Sequence, residues 1–155
     1  GKIVVTPDCI GDFLGFITSD ISDGKMISGN SLYKEKLNEQ ITHPKLTFHS
    51  HPISKEIADG YFLTSDGYVA ENATIVDNGI LKTHLLGIYG ANKLGKSRSV
   101  NDGGAYIVDP GKKSHAEIIK NIKQGVLLAR FSGGSPANNG DFSGVAKNSY
   151  YIENG

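Results

Sequence analysis

The tripeptide Asp77-Asn78-Gly79 limits what this chain can become more than any other feature. Asn and Gly both tolerate the positive φ that a two-residue type I′ turn demands, and such a turn matches the right-handed twist of paired strands. Residues 72–76 and 80–86 on either side carry β-branched and apolar side chains. The sequence therefore predicts a hairpin of two antiparallel strands at its centre. With 20 glycines among 155 residues, the chain is one of many turns rather than long helices.

Two helices are expected against that background. Over residues 7–23, Ile10, Phe13, Leu14, Ile17 and Ile21 fall at helical spacing. Thr6 is placed to cap this helix, Pro7 suits its first turn, and Asp8 and Asp12 complement its positive end. Gly24 reads as its stop. The second helix, about 115–124, follows Ser114 and Glu117 at the spacing of a capping box, with Ile118, Ile119 and Ile122 on its apolar face. Residues 46–51, 105–108, 126–131 and 142–152 read as strands. Residues 88–104, rich in Gly, Lys and Ser, read as a surface loop. Short connections favour antiparallel pairing. The expected class is α+β, a mainly antiparallel sheet with hairpins and two principal helices. The length suits one core, and residues 1–155 read as a single domain.

Composition narrows the function classes. Sixteen Lys and Arg balance sixteen Asp and Glu, so the whole chain presents no field that would attract nucleic acid or a membrane surface. The halves differ, −5 over residues 1–77 and +5 over 78–155, which reads as two halves that neutralise each other. The single cysteine excludes an internal disulfide and suits a reducing, cytoplasmic setting. No apolar run is long enough to span a bilayer. The only methionine is Met26, and the last two residues are the turn pair Asn154-Gly155. The chain therefore reads as a piece of a longer protein.

Few residues look chemical. His49 and His51 would share one face of a strand, as a pair of metal ligands does, but no third ligand lies at a diagnostic spacing. Two solvated residues beside a proline are the ordinary reading, and no metal site is assigned. Cys9 sits near a helix N-terminus without a recognisable base, so it reads as a buried residue. Lys93, Lys96, Arg98, Lys112, Lys113, Lys120 and Lys123 lack interleaved aromatics and any nucleic-acid motif, so they read as solvated charge. Asn139, Gly140, Asp141, Phe142 and Ser143 are the better candidates. Small and polar residues at the start of a strand suit close approach by an extended peptide, although a plain hairpin entry explains them nearly as well. No catalytic residue is assigned.

Several segments together resemble the TldD/PmbA family. Asn138-Asn139-Gly140-Asp141-Phe142-Ser143-Gly144 followed by Ile152-Glu153-Asn154-Gly155 is similar to its C-terminal signature. Asp66-Gly67 resembles a family turn, with the usual glutamate missing. Asp77-Asn78-Gly79-Ile80-Leu81 resembles its hairpin. Tyr89-Gly90-Ala91-Asn92-Lys93-Leu94-Gly95 and His51-Pro52 resemble the PmbA (TldE) branch. The resemblance implies a C-terminal fragment of a cytoplasmic peptidase system that matures peptides, a family also described as modulators of DNA gyrase. TldD-type members carry a His-Glu-x-x-x-His zinc helix in the N-terminal half and a cysteine ligand near the C-terminus. PmbA-type members lack that motif and partner the catalytic subunit. This chain has no His-Glu-x-x-x-His, and Cys9 lies in the wrong region to be the ligand. The resemblance thus implies a PmbA/TldE-like subunit with no cofactor of its own. Its partner would be a TldD-like subunit or a second copy, its substrate a peptide, and any zinc would belong to the parent complex. The alternatives are a fragment of a catalytic TldD-type zinc peptidase and a module that acts on gyrase or DNA.

Overall fold

The computed structural model describes residues 1–134, 136–137 and 139–155. In chain order the elements are β1 (Lys2–Val5), α1 (Pro7–Asp20), α2 (Asp23–Ser28), β2 (Phe48–Ser50), β3 (Ala73–Asp77), β4 (Ile80–Leu81) and α3 (Ile88–Leu94). They continue with β5 (Tyr106–Val108), α4 (His115–Lys120), β6 (Gln124–Leu128), β7 (Arg130–Gly133), β8 (Gly144–Lys147) and β9 (Tyr150–Glu153). This is an α+β fold. Its backbone contacts cluster into two compact units, Gly1–Phe16 with Pro110–Gly155, and Ile17–Asp109.

The Ile17–Asp109 unit is built on a four-stranded antiparallel sheet in the order β4-β3-β2-β5. The central hairpin turns where the sequence predicts, with Asn78 at φ 48° and Gly79 at φ 83°, but its second strand is Ile80–Leu81 rather than the expected 80–86. Phe48, Ile75, Val76 and Leu81 from this sheet are fully buried. Met26, Leu86 and Ala91 form a cluster to which Leu94 is added.

The other unit holds a three-stranded sheet in the order β1-β6-β9 and a two-stranded ribbon, β7-β8. β1 pairs with β6 in parallel, while β6–β9 and β7–β8 are antiparallel. Leu127 pairs with Tyr150 and Arg130 with Lys147, so sheet and ribbon continue one another in a single register. They form one long hairpin with a joint at Ala129 and Asn148-Ser149. Asn148 turns through φ 48°, and the Ser149 hydroxyl takes up the Ala129 N–H at 3.2 Å. That side chain replaces a ladder bond.

Several elements differ from expectation for physical reasons. The helix expected over 7–23 breaks after Asp20, because Ser22 adopts an extended conformation (ψ 164°) and its hydroxyl donates to the Thr18 carbonyl. Gly24 then lies inside α2, and the stop is Gly29 in the left-handed region (φ 79°). The Thr6 carbonyl starts α1, accepting from Cys9 and Ile10, but its hydroxyl donates to Ala129 instead of capping the helix. The expected loop 88–104 contains α3, whose N–H groups are met by carboxylates distant in sequence. The expected long strand 142–152 is divided at the joint. The capping box at Ser114 and Glu117 is present in full. Among the described residues no helix is long and apolar enough to cross a membrane.

Candidate functional site

The ribbon β7–β8 carries the candidate residues. Gly133 and Gly144 pair across it, and both positions exclude a side chain. A Cβ on Gly133 would lie 2.6 Å from the Phe131 ring, and one on Gly144 would lie 2.4 Å from it. The Phe131 ring therefore lies flat across the glycine pair, the arrangement by which an aromatic shields exposed strand glycines. Phe131 also meets Phe13 and Phe142 at centroid distances of 5.5 and 5.7 Å. Phe142 in turn meets Phe13 and Phe16 at 5.9 and 5.8 Å. Tilted and edge-on rings at this spacing are favourable beyond their buried area. Phe142 remains 50% exposed. Beside the cluster, Asp12, Phe16, Phe131, Ser132 and Gly133 line an open groove of about 300 Å³.

Asn139, Gly140 and Asp141 close on themselves. The Asn139 amide donates to Asp141 Oδ2 at 2.7 Å, and the Asp141 N–H returns to Asn139 Oδ1 at 3.1 Å. Gly140 turns through φ 87° and donates to the Ala137 carbonyl. These side chains are the turn's own hydrogen-bonding groups. Ser143 and Phe142 lead from that turn into β8, whose residues are all exposed. Asn138, the first residue of the Asn138–Gly144 segment, lies outside the described residues.

His49 and His51 do come together on β2 and just beyond it, with rings stacked at 4.8 Å. Both nitrogens of His49 are engaged, Nδ1 with the Thr74 hydroxyl at 2.9 Å and Nε2 with Asp109 at 3.1 Å. Burial, then the neighbouring His49, pushes the His51 pKa down, with Glu56 and Asp109 opposing. Cys9 is buried, 1% exposed.

The other sequence motifs meet in the Ile17–Asp109 unit as structural parts. Asp66 accepts from the Ile88 N–H at 2.8 Å and the Thr64 hydroxyl at 2.6 Å. Those hydrogen bonds, the Thr64 hydroxyl foremost, hold its carboxyl below the usual range. Asp23 accepts from Gly87 and Gly90 at 3.1 and 3.2 Å. A Cβ on Gly90 would fall 2.0 Å from the Asp23 carboxylate, so a larger residue there must displace that carboxylate from its two hydrogen bonds. Sequence reasoning missed Asp23, whose partners lie more than sixty residues away. It also missed Asn101, a buried amide with no local signature.

The family model described as the PmbA/TldA metallopeptidase C-terminal domain matches residues 1–155. The chain belongs to the TldD/PmbA family. Metalloprotease PmbA of Escherichia coli O157:H7 is 30% identical to this TldD/PmbA domain over 91% of the chain and 32% of its own length. A metalloprotease of Methanocaldococcus jannaschii is 25% identical over 99% of the chain and 37% of its own length. A solved Bacteroides thetaiotaomicron structure, named as a proposed modulator of DNA gyrase, superposes with a TM-score of 0.89 at 26% identity. That superposition covers 98% of this chain and 35% of the other. The TldD/PmbA domain thus spans about a third of the length of these relatives.

A catalytic zinc ion needs three protein ligands and an open fourth position. Among the described residues, no group of three or more His, Cys, Asp or Glu is placed to hold a metal ion. The histidine pair is short of a third ligand, and His49 already spends both nitrogens on Thr74 and Asp109. The residues described do not fit a zinc centre.

Proposed function

We propose that this domain belongs to a PmbA/TldE-like subunit of a cytoplasmic peptidase complex that matures or degrades peptides. In this reading it forms part of the contact with a TldD-like partner or a second copy, and it walls a cavity for an extended peptide. The observation that supports this is the ribbon. Among the described residues each of its strands pairs with one neighbour only, and β8 is exposed along its whole length. A two-stranded ribbon is marginal by itself, and an unpaired edge is a template for a further strand. The edge entered from Asn139–Ser143 offers backbone groups to a peptide without requiring a particular side chain, which suits a broad peptide substrate. Catalytic zinc and its activated water would come from the partner.

The test mixes the full-length protein with a TldD-like subunit and measures co-elution and cleavage of an unfolded peptide. Complex formation and a gain in cleavage are expected, and a peptide N-methylated at alternate amides should lose binding because it cannot pair as a strand. Absence of both co-elution and gain overturns the reading. A His-Glu-x-x-x-His in the upstream sequence of the parent would instead make the parent a catalytic TldD-type peptidase.

A further inference from the structure

In the Ile17–Asp109 unit, an open cavity of about 450 Å³ is lined by Lys82, His84, Lys96 and Arg98 together with Leu37, Thr83, Gly95 and Ser97. Three lining residues are cations and none is a carboxylate. The acids paired with Lys96 and Arg98 lie outside the lining. Glu35 is 3.4 Å from Lys96 and is 76% exposed, and Asp66 is 3.7 Å from Arg98. Contacts of that length leave donor capacity on both cations.

The cations are also held in place. The Arg98 guanidinium lies 3.9 Å from the centroid of the Tyr68 ring, which fixes its plane. The Arg98 and Lys96 side chains are only 24% and 26% exposed. One wall is pinned where the Lys82 N–H donates to Ile75, the other where the Lys96 and Ser99 N–H groups donate to Ala91 and Leu86. Between them His84 donates from Nε2 to the Tyr33 carbonyl at 3.2 Å, so Nδ1 carries the free lone pair of the neutral ring. The Ser97 hydroxyl adds a further donor to the lining, while the Thr83 hydroxyl is already given to the His84 carbonyl at 3.0 Å.

We propose that this cavity binds a small oxyanion, a phosphate or a carboxylate, between Lys82, Lys96 and Arg98. Lys96 and Arg98, partly buried and held in place, favour such a ligand because little of their side-chain freedom is lost when it binds, and the exposed Lys82 adds a third cation. His84 serves as its reporter. Burial foremost, and then Lys96, keep its pKa down, while the Tyr33 carbonyl and Glu35 oppose. A bound anion would raise it.

The full-length protein would be titrated with inorganic phosphate, with a short peptide ending in a free carboxylate, and with the same peptide amidated. Binding and the His84 ring proton resonance would be followed by NMR. Saturable binding of phosphate alone supports the site with free phosphate as the source. Binding of the acid peptide but not the amide supports it with a peptide terminus as the source. In either case His84 should titrate at higher pH when the ligand is bound, and Lys82→Gln, an exposed position, should weaken binding about tenfold while the melting temperature is unchanged. Absence of binding by both ligands, or binding unaffected by Lys82→Gln and by Lys96→Gln together, overturns the proposal. These readouts need no cleavage activity, so their failure is separate from failure of the peptidase reading.

Discussion

Asn101 is 2% exposed, and both of its amide donors are spent. Nδ2 donates to the Ser50 carbonyl at 3.2 Å and the Glu71 carbonyl at 2.8 Å, while Oδ1 accepts from the Gly103 N–H at 3.0 Å. It thus ties the end of β2 to the approach to β3 and to the turn that precedes β5. Asn101→Ala removes three neutral hydrogen bonds, each contributing about 1 kcal/mol net, so a loss of about 3 kcal/mol is expected. Asn101→Asp is almost the same shape but aims a carboxylate at two carbonyl oxygens, with no donor left to offer them. At pH 7 it should cost about 2 kcal/mol more than the alanine variant, unless the group takes up a proton. Its folded pKa would then stand above the unfolded value of about 4. Folded chains would hold the proton over that interval, so stability falls as pH rises through it and the extra cost vanishes below about pH 4. Because the chain has two compact units, a single melting temperature mixes two events. Amide exchange in β2 and β3 isolates the relevant one. Protection there should fall by about two orders of magnitude in Asn101→Ala, since each 1.4 kcal/mol is tenfold. A loss under about 0.5 kcal/mol, or an aspartate variant as stable as the alanine one at pH 7, would refute the reasoning.

Gly90→Ala is a test of sign. Helix propensity alone predicts a gain of up to about 1 kcal/mol, whereas the clash with Asp23 predicts a loss of about 1–3 kcal/mol, read by amide exchange in α3. Phe131→Ala uncovers the glycine pair and removes two of the ring contacts. About 2 kcal/mol, below the range for a fully buried phenylalanine, should be lost from β7–β8 amide protection and not from the Ile17–Asp109 unit. The folded pKa of His84 is depressed, so its stabilising effect is present above the unfolded value of about 6.5 and is lost as pH falls below it. His84→Gln, which can still donate to Tyr33, should flatten that acid decline in a denaturant series.

What was legible in the sequence was local. Asp77-Asn78-Gly79 announces its turn because two adjacent residues must both adopt positive φ, and Ser114 with Glu117 announces a cap because the partners are three residues apart. The parallel pairing of β1 with β6 has no such signature, since more than a hundred residues separate the strands. The break of the first helix turns on one extended serine, Ser22. The same divide holds at the site. The self-closing turn Asn139–Asp141 was visible as glycine and asparagine, but the Phe131 ring over Gly133 and Gly144 depends on strand register. Lys82, Lys96 and Arg98 were visible only as charge. Their common cavity forms because the hairpin and the end of α3 are pinned by Ile75 and Ala91.

The joint at Ala129 and Asn148-Ser149 gives the long hairpin the mechanics of a crank. Its root, β6 with β9, is locked into the sheet by β1, and that lock sets the pairing of every residue further out. The arm therefore keeps that register beyond the joint, and the rings of Phe131 and Phe142 fasten it to α1 at Phe13 and Phe16. A load applied at the tip would divide between that aromatic anchor and the joint, where the Ala129 N–H bond to the Ser149 hydroxyl would register its share.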